Sequence, residues 1–136
     1  MATAGYEEVE HTADWALRVW GPDASQLFRQ AAFGMLALMG AEPADKADGW
    51  RAIELAADDL ETLLVDWLQD LLFALETRQR VPDRIEIRVD EVGRLDGRVR
   101  ERPSLRPDKP IKAVTYHQLA IRPTPDGLAT TVVFDV

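Results

Sequence analysis

Asp58-Asp59-Leu60-Glu61-Thr62-Leu63-Leu64-Val65-Asp66-Trp67-Leu68-Gln69-Asp70-Leu71-Leu72-Phe73-Ala74-Leu75-Glu76-Thr77-Arg78 is the stretch on which the fold turns. Leu60, Leu63, Leu64, Trp67, Leu68, Leu71, Leu72 and Leu75 recur at the i, i+3, i+4 spacing of one helical face, with Thr62, Asp66, Gln69, Asp70 and Glu76 on the other side. Asp58 followed three residues later by Glu61 has the form of a capping box. The spacing predicts a long helix from about Asp59 to Arg78 with one buried face. Its polar side reads most simply as a solvated acidic surface. A docking surface for a basic partner is the sharper reading, and charge reversal at Asp66 separates the two if it spares folding but weakens a complex.

Upstream, Tyr6 to Glu10 and Trp15 to Trp20 alternate as strands, and Gly21-Pro22 ends the second. Asp23 with Gln26 caps a first helix in which Leu27, Phe28, Ala31, Ala32, Met35, Leu36 and Met39 form the apolar stripe and Gly40 the stop. A loop from Ala41 to Gly49 leads to a short strand, Trp50 to Ala56. Downstream of Pro82 the chain does not return to helix. Ile85, Ile87 and Val89 alternate with Glu86, Arg88 and Asp90, Gly93 and Asp96-Gly97 supply turn residues, and Arg98, Arg100 and Arg102 share one side of the next strand. Pro103, Pro107 and Pro110 mark a loop. Two final strands, Ile111 to Arg122 and Leu128 to Val136, are joined through Pro123-Thr124-Pro125-Asp126-Gly127. Two helices among mostly consecutive strands, with no glycine-rich phosphate loop and no repeat, predict a single α+β domain over residues 1–136. Its sheets are mixed but mostly antiparallel, with two amphipathic helices packed against them.

The chain has 136 residues, 46% of them apolar and 29% charged, the balance of a globular protein that folds alone. It has no cysteine, which excludes disulfides, thiolate metal sites and a cysteine nucleophile. No stretch reaches the roughly 20 apolar residues of a membrane span, and the N-terminus lacks a signal-peptide pattern, so a cytoplasmic protein without membrane contact is expected. The net charge of −8 argues against non-specific nucleic-acid binding as a primary role. Between Arg94 and Lys112, however, basic residues outnumber acidic ones.

Three constellations carry the chemistry. His11-Thr12-Ala13-Asp14 interrupts the first strands, and His11 and Asp14 converge only if Thr12 and Ala13 bulge or turn; local turn hydrogen bonding is the competing reading. In Val132-Val133-Phe134-Asp135-Val136 the alternation buries Val132 and Phe134 and turns Asp135 outward, one residue from a terminal carboxylate if Val136 ends the chain. Paired carboxylates repel unless a cation lies between them, and oxygen donors favour Ca²⁺, Mg²⁺ or Mn²⁺; Asp14 is a candidate third donor, and simple solvation of Asp135 is the alternative. In Ile111-Lys112-Ala113-Val114-Thr115-Tyr116-His117 both faces look half buried, which predicts a central strand, a Lys112 that either snorkels to an edge or finds an anion, and a hydrogen-bonded core histidine at His117, with a ligand histidine as the competing reading. Neither serine has a histidine near it in sequence, so a catalytic triad is not expected.

Taken together, Tyr6 to Asp14, Leu63 to Leu68, Ile111 to His117 and Val133 to Val136 resemble the archease family, in order and over almost the whole chain. The resemblance implies a protein cofactor of an RtcB-type RNA ligase, without enzymatic activity of its own. Such a cofactor promotes guanylylation of the ligase and its multiple turnover in tRNA splicing and RNA repair, reaching tRNA or RNA only through the ligase. It further implies a divalent-metal site for Ca²⁺, Mg²⁺ or Mn²⁺ with Asp14, Asp135 and the Val136 carboxylate as ligands and His11 as neighbour or ligand. Lys112 and His117 would serve activation or partner contact. Arg98, Arg100 and Arg102 match no family motif and are candidates for RNA or partner contact on charge alone. Two other readings remain beside this one, a stand-alone metal-dependent phosphohydrolase and a metal-independent chaperone-like or RNA-binding adaptor.

Overall fold

The computed structural model describes residues 3–9, 15–43, 49–104 and 107–136. In chain order its elements are β1 (Gly5–Val9), β2 (Trp15–Gly21), α1 (Ala24–Met39), β3 (Gly49–Ala56), α2 (Leu60–Arg78), β4 (Arg80–Val89), β5 (Arg94–Pro103), β6 (Ala113–Val114), β7 (Arg122–Thr124) and β8 (Gly127–Asp135). They form a five-stranded sheet in the order β1-β2-β8-β6, with β7 also on β8, and a three-stranded sheet in the order β3-β5-β4. The strand pairs in both are antiparallel, so the α+β expectation holds.

Each helix begins and ends for a local reason. The Asp23 carboxylate accepts the Gln26 N–H at 2.8 Å, and Gly40 closes α1 in the left-handed conformation, φ 69°. The cap of α2 is Asp59 and not Asp58, accepting the Thr62 N–H at 2.7 Å; that backbone hydrogen bond holds the Asp59 carboxyl below its ordinary range. With the capping pair shifted by one residue, Glu61 turns outward and accepts the Ile121 N–H at 2.9 Å, tying the start of α2 to the chain just before β7.

α1 packs on β1 and β2 of the larger sheet and on β4 of the smaller; α2 packs on β3 and β4 and also on β6. Because each helix meets both sheets, burial spreads beyond a single stripe, and Val65 and Ala74 of α2 are buried along with the expected leucines. One continuous apolar core results, including Leu17, Val19, Phe28, Met35, Trp67, Val99 and Phe134. Trp67 is fully enclosed and donates its indole N–H to the Phe28 carbonyl at 2.9 Å, so its single polar atom is satisfied. Polar side chains of α1 also guard β4, an outer strand of its sheet. Arg29 donates to the Ile85 carbonyl at 3.1 Å, and Ser25 Oγ accepts the Val89 N–H at 2.8 Å.

Two local expectations fail. Asp96-Gly97 does not turn; the β4–β5 turn is Asp90–Gly93, where Asp90 Oδ1 accepts the N–H groups of Val92, Gly93 and Arg94. Gly97 lies within β5 between Ile53 and Ile87, at φ 153°, and a Cβ there would come 2.1 Å from the Glu86 carbonyl oxygen. The stretch from Ile111 to Arg122 is not one central strand either. Only Ala113–Val114 and Arg122–Thr124 pair, both on the edge of β8 opposite β2, and between them the chain turns at Tyr116–Leu119 with Gln118 at φ 53°. An edge position permits this departure, because no further strand requires the ladder to continue.

Candidate functional site

The end of β8 is held from both sides. Phe134 is fully buried opposite Trp15 of β2 and Val114 of β6, and Asp135, on the other face of the sheet, is exposed opposite Ala113. This is the alternation read from the sequence. The Lys112 N–H donates to the Asp135 carbonyl at 2.8 Å, so the two residues adjoin through the main chain. Their side chains diverge. That of Lys112 lines a hollow of about 350 Å³ with Gln69, Asp70, Leu72, Phe73 and Glu76 of α2.

His11 and Asp14 lie outside the described residues. The described neighbour of Asp14 in sequence is Trp15, and its partner Phe134 is the neighbour of Asp135. His117 is not a core residue. The strand containing Val114 has already ended, and His117 is exposed in the following turn, its N–H donating to Thr115 Oγ1 at 3.2 Å while that hydroxyl donates to the Val133 carbonyl at 2.9 Å.

The described donors at this end are hard oxygens, those of the exposed Asp135 carboxylate. They suit Ca²⁺, Mg²⁺ or Mn²⁺ in kind but supply only part of a coordination shell. Among the described residues no group of three His, Asp or Glu is placed to hold a metal ion. The expected third donor, Asp14, lies outside the described residues.

Arg98, Arg100 and Arg102 do share the outer face of the three-stranded sheet, but each has a carboxylate partner. Arg98 Nε lies 2.8 Å from Glu86 Oε1, and its guanidinium stacks 4.0 Å over the Trp50 ring. Arg100 grips Asp83 with two nitrogens at 2.9 and 2.6 Å, and Arg102 Nε adds a third contact at 2.6 Å. Asp83 reaches both because the β4–β5 register shifts between Pro82 and Arg84. The hydrogen bond from Arg100 holds the Asp83 carboxyl below its ordinary range; burial opposes this and Arg102 reinforces it. Arg100 is raised in return by the same bond.

A further network was not anticipated from the sequence. Arg51 bridges Asp70 of α2 at 2.8 Å and Glu101 of β5 at 3.0 Å, joining helix and sheet. Burial acts to lower the Arg51 pKa, but the two carboxylates outweigh it and raise the group above its ordinary value. The available signal was Glu101, which shares strand parity with Leu95 and Val99 and is 7% exposed.

Residues 6–136 match a model of the archease protein family. The chain is similar to the protein archease of Methanosarcina barkeri, 36% identical over 96% of this chain and 95% of that protein. The protein archease of Saccharolobus islandicus is 30% identical, with 96% and 98% covered. Among solved structures, a Thermotoga maritima archease described as a possible chaperone superposes with a TM-score of 0.70 at 26% identity, covering 96% of each chain. A Methanobacterium thermoautotrophicum protein solved in solution gives a TM-score of 0.70 at 26% identity, covering 97% of this chain and 99% of that one.

Proposed function

The chain belongs to the archease family, and from that premise we propose that it is a non-catalytic activator of an RtcB-type RNA ligase in tRNA splicing and RNA repair. It acts on guanylylation and multiple turnover of the ligase and meets tRNA only through it, in the cytoplasm; no described helix is long and apolar enough to cross a membrane. The observation that carries the reading is the pairing of Trp15 with Phe134. Their sequence neighbours are Asp14 and Asp135, the two acidic side chains that the family likeness implies as metal ligands.

In this reading Asp14, Asp135 and the Val136 carboxylate hold a divalent cation, with His11 supporting Asp14. A bound Ca²⁺, Mg²⁺ or Mn²⁺ supplies charge neutralisation beside phosphate. The rest is done by the chain itself. Buried Phe134 fixes the end of β8, so Asp135 is presented at a constant position. Lys112 and exposed His117 offer contacts to the partner. Any RNA or partner contact at Arg98, Arg100 and Arg102 is made by side chains that already donate to Glu86 and Asp83.

The test is ligation by the cognate ligase at limiting enzyme, with and without this protein. Asp14→Ala and Asp135→Ala should each abolish stimulation while circular dichroism shows a retained fold, and adding one residue after Val136 should do the same. Full stimulation by both alanine variants would refute the metal-dependent activator and favour the chaperone-like reading, which the description of the Thermotoga maritima relative supports. Release of phosphate from nucleotide or RNA by the purified protein alone would instead point to a phosphohydrolase.

A further inference from the structure

Phe73 is out of place on α2. Its neighbours Leu72 and Leu75 are buried, yet Phe73 is 63% exposed in the middle of the helix's polar side. A phenyl ring left largely in water forgoes more than half of the roughly 150–250 Å² that an aromatic side chain buries in a core. It stands beside the hollow that Lys112 lines, and a second hollow of about 350 Å³ opens on the other side of Glu76, floored by Met39, Leu75 and Ile111.

The surroundings of the ring define what fits it. Asp66 lies two turns before Phe73 and Glu76 less than one turn after; both are exposed, and neither forms an ion pair with a described residue. Asp70, between them, is committed to Arg51. The rim therefore carries two unspent negative charges around an apolar anchor. Lys112, also exposed and without an ion-pair partner among the described residues, adds a donor at the far edge.

We propose that this face of α2 is where the partner ligase docks, through a segment that seats an apolar side chain against Phe73, sets Lys or Arg against Asp66 and Glu76, and offers a carboxylate or carbonyl to Lys112. The inference rests on the ligase reading and deepens it. It separates grip from activation, since Phe73 and Lys112 lie on the helix side of the larger sheet and Asp135 on the opposite face. A central aromatic anchor with a charged rim is the arrangement in which single truncations cost most.

The experiment measures equilibrium binding of the full chain to the immobilised cognate ligase, together with the concentration giving half-maximal stimulation of ligation. Phe73→Ser should weaken binding at least about tenfold, and Glu76→Lys several-fold with loss of salt sensitivity. Val92→Ser, which removes an exposed apolar residue (80%) from the β4–β5 turn, should bind as wild type. Saturating Phe73→Ser should still reach wild-type maximal stimulation. Wild-type affinity in both Phe73→Ser and Glu76→Lys would overturn the docking face alone. A wild-type protein that neither binds nor stimulates the ligase would overturn the ligase reading, and the docking face with it.

Discussion

Replacing Asp83 by Asn takes the negative charge from between Arg100 and Arg102 while keeping the side chain's size. Three contacts of 2.6 to 2.9 Å lose their ionic character, and the Asp83 side chain is only 12% exposed, so water does not readily replace them. Hydrogen bonds to charged groups contribute about 1.5–3 kcal/mol each when enclosed. Here the two guanidiniums are about a quarter exposed and rehydrate in part, which reduces the expected loss to about 2 kcal/mol in all. In a chain of this size that lowers the melting temperature by roughly 6–8 °C. The pH dependence is more diagnostic. The folded-state pKa of Asp83 is depressed, first by the Arg100 hydrogen bond. Its stabilisation is therefore fully present above the unfolded value of about 3.9 and is lost as pH falls through the folded value. Urea unfolding of wild type and Asp83→Asn from neutral to acid pH should show two curves well separated near neutrality and converging below about pH 4. A gap that stays constant on acidification, or one below about 0.5 kcal/mol at neutral pH, would refute the clamp.

Arg51→Met should cost about 2–3 kcal/mol because it leaves Glu101 enclosed without a counter-charge, and Glu101→Gln in the same chain should recover much of it; a double-mutant cycle in urea measures both. Gly97→Ala should destabilise by about 2 kcal/mol or more, through a Cβ driven into the Glu86 carbonyl and a backbone angle that alanine disfavours, and calorimetry should show it as a lowered melting temperature. Calorimetric titration with Ca²⁺ or Mn²⁺ should show binding to wild type that weakens at least about tenfold in Asp135→Ala; equal affinity in the two would remove Asp135 from the cation site.

The sequence was most informative where a regular period meets a core. The leucine spacing from Leu60 to Leu75 placed α2, and simple alternation separated buried Phe134 from exposed Asp135. It failed where one pattern admits two structures. Ile111, Ala113, Leu119 and Ile121 alternate as a strand would, and Leu119 and Ile121 do pack against the core. The chain reaches it after a turn whose positive-φ residue is Gln118, without a glycine or proline to announce it. Gly97 erred in the opposite direction, resembling a turn residue although its lack of a side chain serves a close approach to the Glu86 carbonyl within the sheet. The bulge that swings Asp83 toward two arginines is invisible in one strand alone, because it exists only relative to the register of β5. At the candidate site, the outward turn of Asp135 was legible, whereas the divergence of Lys112 toward α2 depends on which strand β6 pairs with. The ligase and the cation come from family likeness, which composition and spacing do not replace.

The hydrogen bonds from Ser25 and Arg29 to β4 have a consequence for self-association. By occupying main-chain groups along Ile85 to Val89, α1 denies that border of the small sheet to any incoming polypeptide. Strand addition from another molecule is thereby directed to the opposite border, Gly49 to Ala56, where Trp50 and Arg98 form a bulky stacked pair. Loosening α1 would do more than soften the core, because it would give the small sheet two open borders and allow molecules to link end to end.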